Sequence, residues 1–224
     1  MALDLDGALT EHDELSEPAL AGVDDVRADG LAAVLVTGRI LGEFEQEHPG
    51  LARRFDVVVA ENGAVLAVED EVRDLAAPVE ESLAAALADR DVPFRCGRVL
   101  LAGNARDAPA VVEAVGLLGL DCQIIRNRDA LMVLPAGVSK GTGLLAALIE
   151  LGISPHNTLA VGDAENDQAL LEAAEVGVAV ANAVPSLRAH ADLVLEEPTV
   201  PASPRCCQGR SGQASGPCAR RGGA

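Results

Sequence analysis

Lysine is almost missing from this chain: Lys140 is the only one in 224 residues, beside sixteen arginines, and the basic total of 17 faces 35 acidic side chains. The resulting net charge of −18 repels polyanions, which argues against nucleic acid or an anionic membrane as a partner. An anionic substrate therefore needs a local positive site. Also missing are any apolar run of about 18 residues and any basic segment leading into an apolar signal core, since the first residues run straight to Asp4. The expected location is the cytoplasm. No repeat with a period of about 20 to 50 residues is present, which excludes a solenoid. The glycine patterns of dinucleotide and P-loop sites are missing too, because Gly141-Thr142-Gly143 opens a helix without the remaining glycine. Five cysteines is an odd number, and only Cys96 and Cys122 lie where the chain looks folded, so no disulfide framework or metal role is expected of them.

What is present is a rhythm. Short apolar runs at 2–5, 31–36, 57–60, 158–161, 176–180 and 193–195 read as strands, and the segments 17–28, 139–151 and 166–174 carry helical spacing, with Ser16 as an N-cap. Strands that are apolar on both faces and alternate with helices predict an α/β fold, a doubly wound parallel sheet. The middle of the chain differs, with helices expected at 79–90 and 108–118 and strands at 98–102, 122–126 and 130–134. That pattern suits a small inserted α+β domain. The expected organisation is a core of residues 1–64 and 136–197, an insert of 65–135, and a disordered tail of 198–224, which has no acidic residue and is dense in Gly, Pro, Ser and Cys.

In open parallel sheets ligands bind beyond the carboxyl ends of the strands, so the residues that follow each apolar run carry the information. They are Asp4-Leu5-Asp6-Gly7, then Thr37-Gly38-Arg39, then Glu61-Asn62-Gly63, then Gly162-Asp163-Ala164-Glu165-Asn166-Asp167. Asp89 and Asp91 repeat the Asp-x-Asp spacing, but at a helix end, where a solvated surface is the ordinary reading. Lys140 stands at a helix start, where the helix dipole gives a cation no benefit. A compact ammonium there suits a phosphate and a carboxylate sharing one positive charge.

These stations in this order resemble the haloacid dehalogenase superfamily of phosphohydrolases: Asp4-Leu5-Asp6-Gly7-Ala8-Leu9-Thr10, Val36-Thr37-Gly38-Arg39, Lys140, and the segment from Gly162 to Asp167. The insert after Glu61-Asn62-Gly63-Ala64 resembles the α/β cap of the subclass that includes Cof-type sugar phosphatases and sucrose-phosphate phosphatase. The resemblance implies a Rossmann-like core and a Mg²⁺-dependent phosphatase acting on a small phosphorylated metabolite, with a sugar phosphate as the first expectation. It implies Asp4 as nucleophile and Asp6 as general acid and base. Thr37, Gly38 and Lys140 would hold phosphate, and Arg39 and Asn62 would lie at the entrance beneath the cap. Asp4, the main-chain carbonyl of Asp6 and Asp163 would hold the metal, with Asn166 and Asp167 in support. Ala8 stands where the family usually has Thr, which removes one hydroxyl near the phosphate. Arg126 and Arg128, between two expected cap strands, or Arg95 and Arg98, could contact a sugar or carboxylate of the substrate, although the ordinary reading of each is a solvated surface charge. A phosphomutase and a non-catalytic phosphoryl-binding module are the alternatives.

Overall fold

The computed structural model describes residues 1–11 and 14–200. The chain opens with β1 (Ala2–Asp4), passes through a small antiparallel pair, β2 (Thr10–Glu11) and β3 (Glu14–Leu15), and enters α1 (Glu17–Ala28). Ser16 caps that helix by accepting from the Ala19 N–H, and Pro18 sits in the first turn, where a missing N–H costs nothing. Next come β4 (Val34–Val36), α2 (Leu41–Glu47), β5 (Val57–Ala60), β6 (Val65–Val68) and β7 (Glu71–Asp74). The middle of the chain forms α3 (Glu81–Ala88), β8 (Arg95–Cys96), β9 (Leu101–Asn104), α4 (Ala108–Leu118), β10 (Cys122–Asn127) and β11 (Ala130–Pro135). The last part forms α5 (Lys140–Leu151), β12 (Leu159–Gly162), α6 (Gln168–Glu172), β13 (Val176–Ala179), α7 (Pro185–His190) and β14 (Leu193–Val194).

Eight strands form one sheet in the order β14-β13-β12-β1-β4-β5-β6-β7, parallel from β14 to β5 and antiparallel at the β6 and β7 edge. From β1 the chain first builds outward through β4 and β5, then returns to lay β12 on the other flank of β1. The strand order therefore reverses at β1, which is where open α/β sheets form a ligand crevice, beyond the carboxyl ends of the strands, here β1 and β12. A second sheet, β10-β11-β9-β8, is antiparallel throughout. It has an apolar core of its own, in which Leu83 and Leu87 of α3 and Val111 of α4 meet Leu101, Leu131 and Val133.

Residues 65–74, expected in the insert, pair instead with β5 in the large sheet. The physical reason is the tight turn at Glu61–Gly63, which returns the chain antiparallel beside β5 and buries Val65 and Leu66 in the main core. The strand expected at 98–102 begins only at Leu101, and that expected at 31–36 begins only at Val34, since Leu31 is exposed. Helices α2 and α7 lay outside the expectation, being too short for helical spacing to stand out. The tail reading covered 198–224. Of this, Val200 is buried and its N–H donates to the Ala8 carbonyl at 3.0 Å, while 201–224 lie outside the described residues. No helix among the described residues is long and apolar enough to cross a membrane.

Candidate active site

Each station of the sequence lies at the crevice. β1 delivers Asp4, and the neighbouring β12 delivers Asp163, because the two strands pair in parallel. The chain leaves β1 through Gly7 at φ +88, where a Cβ would lie only 2.1 Å from an Asp163 carboxylate oxygen, so only glycine lets these two loops touch. Lys140 opens α5, whose start is fixed by a reciprocal cap: Ser139 Oγ accepts from the Thr142 N–H, and Thr142 Oγ1 accepts from the Ser139 N–H. That start is pressed against the Glu61–Gly63 turn, since a Cβ on Gly63 would lie 1.9 Å from the Ser139 carbonyl oxygen.

The Lys140 ammonium is buried and donates to Asp4 Oδ1 at 2.6 Å and to Asp167 Oδ1 at 2.5 Å. The second oxygen of Asp167 accepts from the N–H groups of Asp163 and Ala164, both at 2.9 Å. Asp4, Asp163 and Asp167 each bring one carboxylate oxygen within 4.8 Å of the others, and all three are buried. Burial, followed by the neighbouring Asp167 charge, pushes Asp4 well above the ordinary carboxylate range, and Lys140 draws it back only in part. Burial and then Asp167 likewise push Asp163 up to about 6, against the opposing pull of Arg128 and Lys140. Burial alone pulls the Lys140 ammonium down, but the carboxylates of Asp167 and Asp4 outweigh it and hold it above its usual value. Asp4 and Asp167 share the Lys140 ammonium and Asp163 is met by the exposed Arg128, so the three clustered carboxylates still outnumber the cations that touch them. This is the donor set a small hard cation takes, and the residues fit Mg²⁺.

Thr37 is fully buried at the end of β4; its hydroxyl accepts from the Arg39 N–H at 3.1 Å and its carbonyl accepts from the Asn62 N–H at 2.9 Å. Gly38 follows it, close beneath Met132 of β11. Arg39, expected at the cap entrance, is instead forked onto Asp6, with Nε to Oδ2 at 3.1 Å and Nη2 to Oδ1 at 2.6 Å, and its Nη1 pairs with Glu47. Asp6 is about a third exposed and stands outside the Asp4, Asp163 and Asp167 cluster, although its charge helps to raise the pKa of both Asp4 and Asp163. Asn166 donates to Asn62 Oδ1 at 3.1 Å, which ties the β12 turn to the β5 turn. Asn62 thus lies in the floor of the crevice, buried, at φ +57.

Two residues join the site that the sequence noted without assigning to it. Glu61 is fully buried, and its carboxylate accepts N–H groups from Arg98 (2.8 Å), Val99 (2.9 Å) and Leu100 (3.2 Å), so a strand-end residue of the large sheet grips the β8–β9 turn of the small one. An acid at the end of an all-apolar strand hinted at a partner, without saying which. The other is Arg128, whose Nη2 lies 2.9 Å from Asp163 Oδ2. No local signal separates it from Arg126, two residues earlier on the same hairpin.

Residues 122–199 match the model of the haloacid dehalogenase-like hydrolases. The chain is 36% identical over 200 residues to the phosphoglycolate phosphatase of Methanothermobacter thermautotrophicus, covering 87% of this chain and 90% of that one. A solved structure from Thermoplasma acidophilum superposes with a TM-score of 0.72 at 18% identity, over 88% of this chain and 90% of the other. A subclass IIB sugar phosphatase superposes with a TM-score of 0.69 at 20% identity, over 88% and 92%. The chain belongs to the haloacid dehalogenase-like hydrolases.

Proposed function

We propose that this hydrolase is a phosphatase that uses Mg²⁺ and Asp4 to remove the phosphoryl group from a small phosphorylated metabolite. The observation that carries the reading is the buried cluster of Asp4, Asp163 and Asp167, with Lys140 bridging Asp4 and Asp167, at the strand-order switch point. That the relatives are named phosphoglycolate phosphatases, and one structural neighbour a sugar phosphatase, supports the phosphomonoester class. It also turns the first choice of substrate from a sugar phosphate toward a small phosphorylated carboxylic acid.

In this mechanism the Asp4 carboxylate attacks phosphorus and the alkoxide leaves, so that a slow hydrolysis is divided into two easier displacements. Asp4, Asp163 and the Asp6 carbonyl would hold Mg²⁺, which when bound would supply the positive charge that keeps both carboxylates ionised and offsets that of the phosphoryl oxygens. Lys140 holds Asp4 in place and shares its charge between nucleophile and phosphate. The Thr37 hydroxyl already accepts one hydrogen bond, from the Arg39 N–H, and keeps its own proton free for a phosphoryl oxygen. Asp6 protonates the leaving oxygen and then takes the proton of the water that cleaves the aspartyl-phosphate. Its fork with Arg39 must part for this, so Arg39 acts by holding Asp6 between cycles rather than by meeting substrate. The test is phosphate release from a panel of small phosphomonoesters with Mg²⁺. Release that follows the metal and disappears in Asp4→Ala supports the reading, and no release from any member overturns it.

A further inference from the structure

Among the described residues, one cation at the crevice is loosely held. Lys140 is buried between two carboxylates, and Arg39 is divided between Asp6 and Glu47. Arg128 makes one contact, 2.9 Å to Asp163, and its side chain remains 68% exposed, so most of its donors face solvent over the site. It stands at the tip of the β10–β11 hairpin, in the two-residue loop between the paired Asn127 and Ala130, with φ +52. Glycine or asparagine adopts that conformation more cheaply than arginine. The tip is fixed in position, since the Asp129 carbonyl accepts from the Ala105 N–H at 2.8 Å. Asn127 at the same tip approaches Asn166 at 3.5 Å and has a buried Oδ1 with no partner among the described residues, which marks this face as incomplete without a ligand or water.

We propose that Arg128 determines specificity: it receives a carboxylate carried by the substrate, and the site therefore prefers phosphorylated small carboxylic acids to phosphomonoesters without a second anionic group. The proposal rests on the phosphatase reading above. Asp163 cannot serve a divalent cation and a guanidinium equally well. Arg128 is the exposed half of this pair and returns to water when it leaves, while the cation takes over the buried Asp163 charge, so little opposes its release when the cation arrives. The freed guanidinium presents two parallel N–H groups, which match a carboxylate in a forked pair. Because Asp163 lies within 4.8 Å of Asp4, a molecule only a few bonds long reaches from the nucleophile to the guanidinium.

The test compares the wild type with Arg128→Met and Arg128→Lys on 2-phosphoglycolate and on ethyl phosphate, which is close in size and lacks the carboxylate. The ratio of kcat/KM for the two substrates should favour 2-phosphoglycolate in the wild type and fall at least tenfold in Arg128→Met, mostly through KM, with Arg128→Lys in between. Calorimetric titration of Mg²⁺ without substrate should show Arg128→Met binding the ion as tightly as the wild type or several-fold more tightly, a competitor for Asp163 having been removed. An unchanged ratio, or Mg²⁺ binding weakened by the substitution, overturns the proposal. If the wild type cleaves p-nitrophenyl phosphate with Mg²⁺ but does not discriminate between the two small esters, the specificity proposal fails and the phosphatase reading stands. If the wild type cleaves none of the three, both fall.

Discussion

Asp4 and Asp6 are two residues apart, yet one faces a buried ammonium and the other a half-exposed guanidinium. They should therefore fail differently. On the proposed mechanism Asp4→Ala removes the atom that attacks phosphorus, so neither an initial burst nor steady turnover should remain. Asp6→Asn keeps the main-chain carbonyl and the shape but loses the proton shuttle. With a leaving group that needs no protonation, it should form the aspartyl-phosphate and then stall. Intact-mass measurement after rapid mixing should find the adduct on Asp4 in Asp6→Asn and none in Asp4→Ala. Normal turnover in both would refute these roles.

Asp163 allows a test that needs no substrate. Its pKa is raised from 3.8 to about 6, so between those values the folded metal-free chain binds a proton that the unfolded chain has lost. Its contribution to stability is thus fully present below about pH 4, is lost as pH rises toward 6, and stays lost above. In chelator near pH 7.5, Asp163→Asn should be more stable than wild type by on the order of 1–3 kcal/mol. Mg²⁺ should raise the melting temperature of the wild type well above that of the metal-free form, and raise that of Asp163→Asn much less. Thermal melts at pH 4.5 and 7.5, with and without the ion, provide the check; equal melting of the two chains in chelator at pH 7.5 would contradict it.

Among the elements, the turn after β5 has the widest reach. Asn62 touches the ends of β4 and β12, Gly63 abuts the start of α5, and Glu61 grips the small sheet. Glu61→Ala leaves three N–H groups without their acceptor, at a cost of roughly 2–4 kcal/mol, whereas Glu61→Gln keeps one acceptor and should lose less. Denaturant titration measures this, and a loss below about 0.5 kcal/mol in Glu61→Ala would mean that the turn is held by other contacts. Much of this level was legible: α1, α4 and β5 have the bounds that spacing and Ser16 predict. The side of the sheet taken by residues 65–74 was not legible, because β6 reads equally well as a strand of either domain.

Over the whole molecule, a net charge of −18 surrounds a crevice whose own carboxylates outnumber its buried cations. That field draws divalent ions in and holds anionic substrates off until charge is neutralised locally. Chelation should abolish phosphate release and Mg²⁺ should restore it. Ca²⁺ should restore it poorly, because its longer and more variable coordination spoils the alignment of attacking and leaving oxygens. Assay with the metals exchanged decides this; full activity in excess chelator would remove the ion from the mechanism.

The sequence by itself determined the alternation of strands and helices, the strand ends that bear Asp4, Thr37 and Asp163, and the oddity of a lone lysine at a helix start. Each is local, a matter of apolar period, capping or composition within a few residues. Only the tertiary structure decided which charges meet. Lys140 reaches Asp4 across 136 positions of chain, Arg39 reaches Asp6 across 33, and Arg128 reaches Asp163 across 35. Such pairs follow from strand order and from the reach of a hairpin tip, and an arginine on the surface of a cap looks the same in sequence whether it faces water alone or the Asp163 carboxylate.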